Sequence, residues 1–346
     1  MLAMSVIVLG TAGAPAHAAS VVATPIVTGL GLPLAFTFAP DGRLFFADQT
    51  THRVGIYDPS SGVTSTFKTL PASTTLFGIE LHQDYPAKPW VYLFGKRRVS
   101  GKNLDQVFRI KDVGGTGGAP QVLFSLPHGT DHHGGLMKFG PDRMLYVSIG
   151  DEGNPALSPK KGNPAGKILR MTPSGGVPGS NPFGTRIWAF GLRNVFGFDF
   201  DPATDHLWVS DNGPECNDEI DPIVVGGNYG WGPNETCLTP PDPPANTNQD
   251  GPAPRLPAWW WAATIGPTGA AFCDGCGLGS TFEGSLLVGD YNNGVLHALA
   301  FNPARDAIVG DTVAYDHPKG IIAVESAPDG TIWISDFGSI SRLDLV

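Results

Sequence analysis

A strand–turn–strand pattern recurs six times along the chain, and it constrains the fold more than any other feature of the sequence. Each unit contains two short runs in which apolar residues alternate with others, so each predicted strand turns one face inward. Pro-Asp-Gly or a related turn joins the two runs, because proline presets φ and glycine accepts a positive φ. The six units begin at Leu34, Phe77, Leu136, Phe196, Thr268 and Ile322.

Repeats of this kind bury their faces against their neighbours, and closing them into a ring protects the strand edges. The sequence therefore predicts an all-β fold, a six-bladed β-propeller. The last unit ends after its third strand, so we expect residues 21–27 to supply the fourth strand and close the ring. A β-sandwich pair or a solenoid is the weaker alternative, because the six units are evenly placed.

The composition agrees with many short strands joined by turns, since 46 glycines and 32 prolines leave few stretches suited to helices. The net charge of −10, without a compensating basic stripe, argues against a nucleic-acid partner and favours a small neutral or cationic ligand. Beyond the N-terminus, no apolar run is long enough to span a membrane.

The N-terminus resembles a secretory signal: an apolar run over residues 2–10 precedes Ala16-His17-Ala18. We expect a signal peptide over residues 1–19, a single propeller domain over residues 20–346, and a secreted or periplasmic protein. The usual basic segment is missing, because no Lys or Arg precedes Arg43. The alternative is a buried N-terminal strand.

Four cysteines, an even number in an exported chain, favour disulfides. Cys216 and Cys237 would close a loop. Cys273 and Cys276 form a CxxC pair that is compatible with a tight disulfide, half of a metal site or a redox motif. No second CxxC and no nearby histidine pair supports zinc, so we favour a structural bridge. Residues 232–258 contain eight prolines and predict a long inserted loop that Cys237 staples.

Two adjacent histidines, His132 and His133, precede the first strand of the third unit. A loop histidine of near-neutral pKa is a suitable general base. Asp151 follows the second strand of the same unit, so a hairpin would return its carboxylate to the histidines and fix the imidazole tautomer. The alternative is two solvated histidines without a function.

Three further segments offer binding groups. Arg193 and Asn194 lead into the fourth unit, where an Arg fork suits a ligand carboxylate, or forms a structural salt bridge. Residues 211–219 offer many oxygen atoms, which suit Ca²⁺, although taken alone a solvated acidic turn is the better interpretation. Residues 259–261 are three tryptophans, which either stack on a sugar or pack between blades, and we favour packing for at least two of them.

Together these segments resemble the soluble pyrroloquinoline-quinone (PQQ)-dependent glucose/sorbosone dehydrogenase family, also called aldose sugar dehydrogenases. The resemblance is strongest between residues 131 and 231, where the order and spacing of the motifs agree. These motifs are DHHGGLMKFGPD at 131–142, GDEG at 150–153, AGKILR at 165–170, NPF at 181–183, AFGLRN at 189–194, NGPxxxDEI at 212–220 and GGNYGW at 226–231. Weaker matches lie at 76–85, 265–272 and 327–330.

The resemblance implies a six-bladed propeller that oxidises a sugar, or another alcohol or aldehyde, by hydride transfer to PQQ with Ca²⁺ assistance. It selects His132 rather than His133 as the base, with Asp151 as its partner. It assigns Arg193, also catalytic, and Asn194 to the cofactor. The backbone carbonyls of Gly213 and Pro214 match Ca²⁺ ligands. Electrons would then pass to an external acceptor.

The opposite wall departs from the family pattern. A family Gln that assists sugar binding is absent from residues 73–78, which read STTLFG. Asn292 stands where the fifth blade usually carries a cofactor-pairing Lys, and only Lys319 stands near the usual Arg residues of the sixth blade. Asn292 and Lys319 are therefore the remaining cofactor-binding candidates on this wall, and we expect weaker binding of the three PQQ carboxylates.

Two other function classes fit the same architecture. One is a Ca²⁺-dependent, lactonase-like hydrolase that uses Glu80, Asp151, Asn212 and Asp290 around a central metal. The other is a non-catalytic propeller that binds glycans or protein. The fold alone does not choose among them.

Overall fold

The protein is described by a computed structural model that covers residues 20–234, residue 237 and residues 252–346. The predicted signal peptide and most of the proline-rich loop lie outside these residues, so both stay predictions. The described elements are a short 3₁₀ helix at Pro155–Leu157 and a series of β-strands. In chain order the strands are β1 (Val21–Thr28), β2 (Pro33–Phe38), β3 (Leu44–Asp48), β4 (Arg53–Asp58), β5 (Val63–Thr69), β6 (Thr75–Leu81), β7 (Trp90–Val99), β8 (Lys102–Val113), β9 (Thr116–Pro127), β10 (Gly134–Phe139), β11 (Leu145–Ile149), β12 (Lys167–Met171), β13 (Ile187–Phe190), β14 (Val195–Phe200), β15 (Leu207–Asp211), β16 (Asp218–Ile223), β17 (Trp259–Trp261), β18 (Pro267–Phe272), β19 (Leu286–Asp290), β20 (Val295–Phe301), β21 (Ile308–Asp316), β22 (Ala323–Ser326), β23 (Ile332–Ser335) and β24 (Ser339–Leu345).

These strands form six four-stranded antiparallel sheets, which confirms the predicted six-bladed β-propeller. Blades 1 to 5 are β2–β5, β6–β9, β10–β13, β14–β17 and β18–β21, each in chain order from the inside outwards. Blade 6 consists of β22, β23, β24 and β1. The innermost strands contact their neighbours around the ring, and β22 returns to β2.

The ring closes as the sequence predicts, because the N-terminal strand completes the last blade. β1 pairs antiparallel with β24, with Val21 opposite Leu345 and Thr28 opposite Ser339. Hydrogen bonds between Ser20 and Val346 extend this pairing to the end of the chain. The outer edge of blade 6 therefore consists of a segment more than 300 residues away from its partner in sequence.

The core is divided into six apolar clusters, one at each junction between neighbouring blades. Between blades 1 and 2, for example, Phe45 and Phe108 are fully buried in one cluster. Between blades 4 and 5, Trp208 packs its buried ring edge-on against Phe301. The alternating strand pattern explains this arrangement, because each sheet presents one apolar face to each neighbour.

A charged cluster lies at the carboxyl ends of the innermost strands. Lys138 donates through Nζ to Asp199 at 2.8 Å and to Glu325 at 3.1 Å. Burial raises the pKa of the neighbouring Glu80 to about 8 and that of Glu325 to about 7. Although burial opposes it, the carboxylate of Asp199 raises the pKa of Lys138. This cluster occupies one end of the central axis and leaves the other end to the loops that lead into the innermost strands.

Both expected disulfides are present, Cys216–Cys237 and Cys273–Cys276. The CxxC pair therefore forms a disulfide bridge, as expected. The three tryptophans form β17, the outermost strand of blade 4, where Trp259 and Trp261 pack on the core and Trp260 is exposed. Among the described residues, no helix is long and apolar enough to cross a membrane.

Candidate active site

The predicted site residues come from one end of the propeller. In each blade, the innermost strand begins at this end and the second strand finishes there, because the two run antiparallel. Gly134 pairs with Ile149 in blade 3, and Val195 pairs with Asp211 in blade 4. The loop before the innermost strand and the residues after the second strand therefore meet above each blade.

His132 and Asp151 form a hydrogen-bonded pair, as the hairpin geometry predicts. The Nδ1 atom of His132 lies 2.8 Å from Oδ1 of Asp151. Asp151 is 1% exposed, whereas the His132 side chain is 19% exposed. The Nε2 atom lies on the more open side, 3.6 Å from a carboxylate oxygen of Asp131. The buried carboxylate thus holds the proton on Nδ1 and leaves Nε2 as the basic nitrogen.

The backbone around this pair is closely packed. His132 has a positive φ of 53°, which an L-residue seldom adopts. Its carbonyl oxygen accepts a hydrogen bond from Glu152 N at 3.2 Å and lies 1.9 Å from where a Cβ on Gly150 would stand. Only glycine fits at position 150, and this explains part of the GDEG motif.

Trp231 connects the histidine pair to the neighbouring arginine, and it is a residue to which the sequence assigns no role. Its Nε1 donates to Oδ2 of Asp151 at 2.8 Å. The guanidinium carbon of Arg193 lies 5.4 Å from the centre of the Trp231 ring, within cation–π range. The only sequence signal for this role is the position of Trp231 at the end of the GGNYGW motif.

Asp211 positions the loop that carries Arg193 and Asn194. Its carboxylate accepts the backbone N–H of Arg193 at 2.8 Å and that of Asn194 at 2.6 Å. Burial raises the pKa of Asp211 to about 6, although these two hydrogen bonds oppose the shift. The Arg193 side chain donates to the carbonyl of Asn212 at 3.0 Å, and its buried Nε has no hydrogen-bond partner among the described residues. Arg193 therefore keeps unused donor capacity.

The turn at Gly213 and Pro214 is held from below by Asp218. Oδ1 of Asp218 accepts from Gly213 N at 2.8 Å, and Oδ2 accepts from the backbone N–H groups of Ile265 and Gly266. Within the described part of the chain, the carbonyls of Gly213 and Pro214 accept no hydrogen bond. They are thus available oxygen ligands at the junction of blades 4 and 5.

The opposite wall holds Asn292 and Lys319. The exposed Asn292 donates through Nδ2 to the carbonyl of Thr264 at 3.1 Å. Lys319 is 54% exposed, and its Nζ lies 3.2 Å from Asp336. Lys319 and neighbouring hydrogen bonds lower the pKa of Asp336, although burial opposes this shift. The cation on this wall is therefore already paired within blade 6.

Within the set of residues of the hydrolase alternative, Glu80 is separated from Asp151. Glu80 lies near the carboxyl end of an innermost strand, at the opposite end of the axis from Asp151. Asn212 donates to the carbonyl of Pro267, and Asp290 accepts hydrogen bonds from Asn293 in its own blade.

Known proteins resemble this chain over most of its length. Quinoprotein glucose dehydrogenase B of Acinetobacter calcoaceticus is 28% identical over 60% of this chain and 51% of its own length. Aldose sugar dehydrogenase YliI of Escherichia coli K12 is 26% identical over 59% of this chain and 57% of its own length. The matched region therefore spans a little over half of these two relatives.

Two further findings extend the comparison to the whole propeller. The PQQ-bound structure of the aldose sugar dehydrogenase of Streptomyces coelicolor is 26% identical, with a TM-score of 0.78, and covers 96% of this chain and 100% of that one. The family model described as glucose/sorbosone dehydrogenase matches residues 30–342. The chain therefore belongs to the glucose/sorbosone dehydrogenase family.

Proposed function

We propose that this protein is an exported PQQ- and Ca²⁺-dependent dehydrogenase that oxidises a sugar or a related alcohol or aldehyde. The observation that carries the proposal is the His132–Asp151 pair, linked through Trp231 to an arginine that keeps a free donor. A base beside a cationic anchor suits the removal of a hydroxyl proton next to a bound anionic cofactor.

The residues present fit the cofactor on one wall and less well on the other. Arg193 offers a guanidinium with a buried, unpartnered Nε, which suits one of the PQQ carboxylates. Asn194 uses its amide oxygen only for a 3.3 Å contact with Gly134 N, so its amide nitrogen is available to PQQ. Asn292 and Lys319 would supply the opposite contacts, one neutral and one already paired with a carboxylate.

The free carbonyls of Gly213 and Pro214 fit Ca²⁺, which prefers oxygen ligands and accepts backbone carbonyls. Asp218 would stabilise this turn through its Oδ1 atom, which accepts the hydrogen bond from Gly213 N. We do not expect that oxygen to be a ligand of the ion. Arg193 also supports this turn, because its guanidinium donates to the carbonyl of Asn212, the residue before Gly213.

PQQ, when bound, supplies the acceptor for the two electrons that leave the substrate carbon as hydride, and an external acceptor then reoxidises it. Nε2 of His132 takes the hydroxyl proton. Asp151 stabilises the resulting imidazolium through Nδ1, and the Trp231 hydrogen bond keeps that carboxylate in place. Arg193 would hold a carboxylate of the cofactor, and its positive charge would favour electron acceptance there.

Reconstitution tests this proposal directly. The purified protein is incubated with PQQ and Ca²⁺, and dye reduction is followed with a panel of aldoses and aldehydes. We expect turnover that requires both additions. His132→Ala should lower kcat by about 10²- to 10⁴-fold while leaving PQQ binding in place, because only the proton acceptor is removed.

The matched control is His206→Ala, which removes an exposed histidine from the turn between β14 and β15 at the other end of the blade. This control should retain wild-type turnover. The proposal fails if PQQ does not bind and no dye is reduced, or if His132→Ala and the control turn over equally well.

Export is the second part of the proposal. The two disulfides support it, because such bonds persist mainly in oxidising compartments. We expect residues 1–19 to be removed as a signal peptide, leaving the propeller domain that begins at residue 20. N-terminal sequencing of the protein recovered from the periplasm or medium would check the cleavage position.

A further inference from the structure

A second histidine cluster lies at the junction of blades 2 and 3, beside the candidate active site but separate from it. We define it as Asp105, His128, His133 and Glu152. His133 and Glu152 directly follow His132 and Asp151 in sequence, but their side chains point to the blade 2 side of the hairpin, where they meet Asp105 and His128. The cluster therefore joins three chain segments: strand β8, the loop between β9 and β10, and the turn after β11.

The four side chains converge on a small volume. Nδ1 of His128 lies 2.8 and 2.9 Å from the two oxygens of Asp105. Nδ1 of His133 lies 3.1 Å from Asp105 Oδ2 and 3.1 Å from Glu152 Oε2. One ligand atom from each residue lies within 4.8 Å of the others.

The charges in this cluster are not balanced by its hydrogen bonds. Asp105 is 0% and Glu152 is 6% exposed, and isolated buried carboxylates are costly. Nδ1 of His133 lies between the two carboxylates, while Asp105 is also contacted by His128 and Oε2 of Glu152 also accepts from Gly129 N. Oε1 of Glu152 is buried and has no partner among the described residues. Burial raises the pKa of Glu152 to about 7, opposed by His133 and reinforced by the charge of Asp105.

The donor types match a first-row transition cation better than a hard cation. Two imidazole nitrogens and two carboxylate oxygens are a known ligand set for Zn²⁺, whereas Ca²⁺ and Mg²⁺ prefer oxygen alone. Two carboxylates and two neutral imidazoles would also neutralise a divalent ion. Tetrahedral zinc ligands stand about 3.4 Å apart. The hydrogen-bonded ligand pairs, now 2.9–3.1 Å apart, would open by a few tenths of an ångström, and pairs farther apart, at up to 4.8 Å, would close around the ion.

The surroundings hold the ligands in orientation. The rings of His128 and His133 stack at 4.2 Å with an angle of 16°, which aims both Nδ1 atoms at the same carboxylate. Phe77 stacks on the other face of the pair, 5.0 Å from His133. Gly129 N donates to Oε2 of Glu152 at 2.7 Å. Such outer contacts are typical of built metal sites.

We propose that Asp105, His128, His133 and Glu152 bind one Zn²⁺ ion that joins blades 2 and 3 behind the His132 loop. The ion is a structural and positioning group, because the four ligands leave no ligand position for a substrate. By holding His128 and His133 on either side of His132, and Glu152 next to Asp151, it would restrain the catalytic pair. The site does not rest on the proposed dehydrogenase activity.

Metal binding is measured on the full mature protein without PQQ. The protein is stripped with a chelator, saturated with Ca²⁺ to fill oxygen-ligand sites, and titrated with Zn²⁺ by calorimetry, with elemental analysis of the bound metal. We expect one tight equivalent per chain and a raised melting temperature. Co²⁺ in place of Zn²⁺ should give visible absorption of tetrahedral intensity.

Two variants remove ligands with little change in shape. Glu152→Gln keeps the hydrogen bond from Gly129, and His133→Asn keeps a polar side chain. Each should weaken Zn²⁺ binding by at least about tenfold, by analogy with the loss of supporting contacts around metal sites. His206→Ala removes an exposed histidine and should bind Zn²⁺ as the wild type does.

Equal Zn²⁺ affinity in the wild type and Glu152→Gln would overturn the proposal, and so would the absence of a tight equivalent. In either case the cluster would be a proton-sharing network in which His133 is the cation. If His133→Asn does not fold, Glu152→Gln and the Co²⁺ spectrum decide the question. A positive Zn²⁺ result together with no PQQ-dependent turnover would overturn the proposed function and leave this site intact.

Discussion

The two walls of the candidate site hold their polar groups in different ways. In blades 3 and 4, buried carboxylates act directly on site residues: Asp151 holds the His132 ring, and Asp211 holds the backbone of Arg193. In blades 5 and 6, the corresponding carboxylates bind residues of their own blade. Asp290 accepts from Asn293, and Asp336 accepts from Ser339 and pairs with Lys319.

This difference explains where the sequence departs from the family pattern. Among the residues that the structure describes, the first wall keeps a donor without a partner, Arg193 Nε, which suits the proposed ligand. The second wall satisfies its charges internally, so its fold does not depend on a cofactor. The fold therefore tolerates Asn292 at this position, and we expect the change from the family pattern to affect cofactor binding instead. The three predictions below test this contrast.

The largest expected effect concerns the internal network of blade 5. Nδ1 of His297 lies 2.9 Å from Asp311, Nε2 lies 3.7 Å from Asp290, and the Trp261 ring lies alongside. Although burial favours the neutral ring, these carboxylates raise the pKa of His297 to about 9. Because the pKa of His297 is higher in the folded than in the unfolded protein, its protonation stabilises the fold. This contribution is fully present at a pH below the unfolded-state pKa of about 6.5, and it is lost as the pH rises through the folded-state pKa.

We therefore expect His297→Gln to destabilise the protein by on the order of 3 kcal/mol near pH 6, with the difference from wild type shrinking towards pH 10. Chemical denaturation over this range measures it. The exposed His206, replaced by Gln, is the control and should show no such trend. A stability difference that does not vary with pH would contradict the account of the blade 5 wall.

The next effect concerns Arg193, on the wall formed by blades 3 and 4. Arg193→Met removes the guanidinium and should weaken PQQ binding by about tenfold to a hundredfold, because a hydrogen bond to a charged group contributes about 1.5–3 kcal/mol. Fluorescence titration with PQQ in excess Ca²⁺ measures the affinity. Lys111→Met, which removes an exposed cation from β8, is the matched control. Equal losses in both variants would show that net charge alone matters.

The smallest effect concerns the altered wall. Asn292→Lys restores a cation at an exposed position and should tighten PQQ binding by less than about tenfold, because exposed ion pairs contribute about 0.2–1 kcal/mol. Folding stability should not change, since Asn292 makes one side-chain hydrogen bond. Thr64→Lys on the outer strand β5 adds the same charge far from the site and should leave the affinity unchanged. A weaker affinity in Asn292→Lys would mean that this wall does not face the cofactor.

Local patterns predicted most of the architecture and part of the site. Alternation with period two defines the strands, the Pro-Asp-Gly turns join them, and the incomplete last unit requires β1. The His132–Asp151 contact was predictable because both residues flank one hairpin. Trp231 was not, because it lies 80 residues from Asp151 and reaches it through the packing of blade 4 against blade 3.

The second histidine cluster illustrates the same limit. His133 and Glu152 are visible beside the candidate base in the sequence, and His128 precedes His133 in the same loop, but nothing local indicates that Asp105 of blade 2 lies against them. Likewise, Glu80 is a plausible ligand by residue type, yet its place on β6 puts it at the far end of the axis.

The sequence by itself determined the number of blades, the closing strand and the hairpin that carries His132 and Asp151, because each depends on short-range periodicity and turns. Only the tertiary structure decided which carboxylate contacts which partner. Asp211 accepts a hydrogen bond from the backbone of Arg193, Asp336 pairs with Lys319 of its own blade, and Asp105 contacts His133 at the start of the next blade. The Asp105–His133 contact arises where neighbouring blades pack, whereas the Asp211 and Asp336 contacts join a loop to the end of the second strand within one blade. None of these contacts leaves a period in the chain to reveal it.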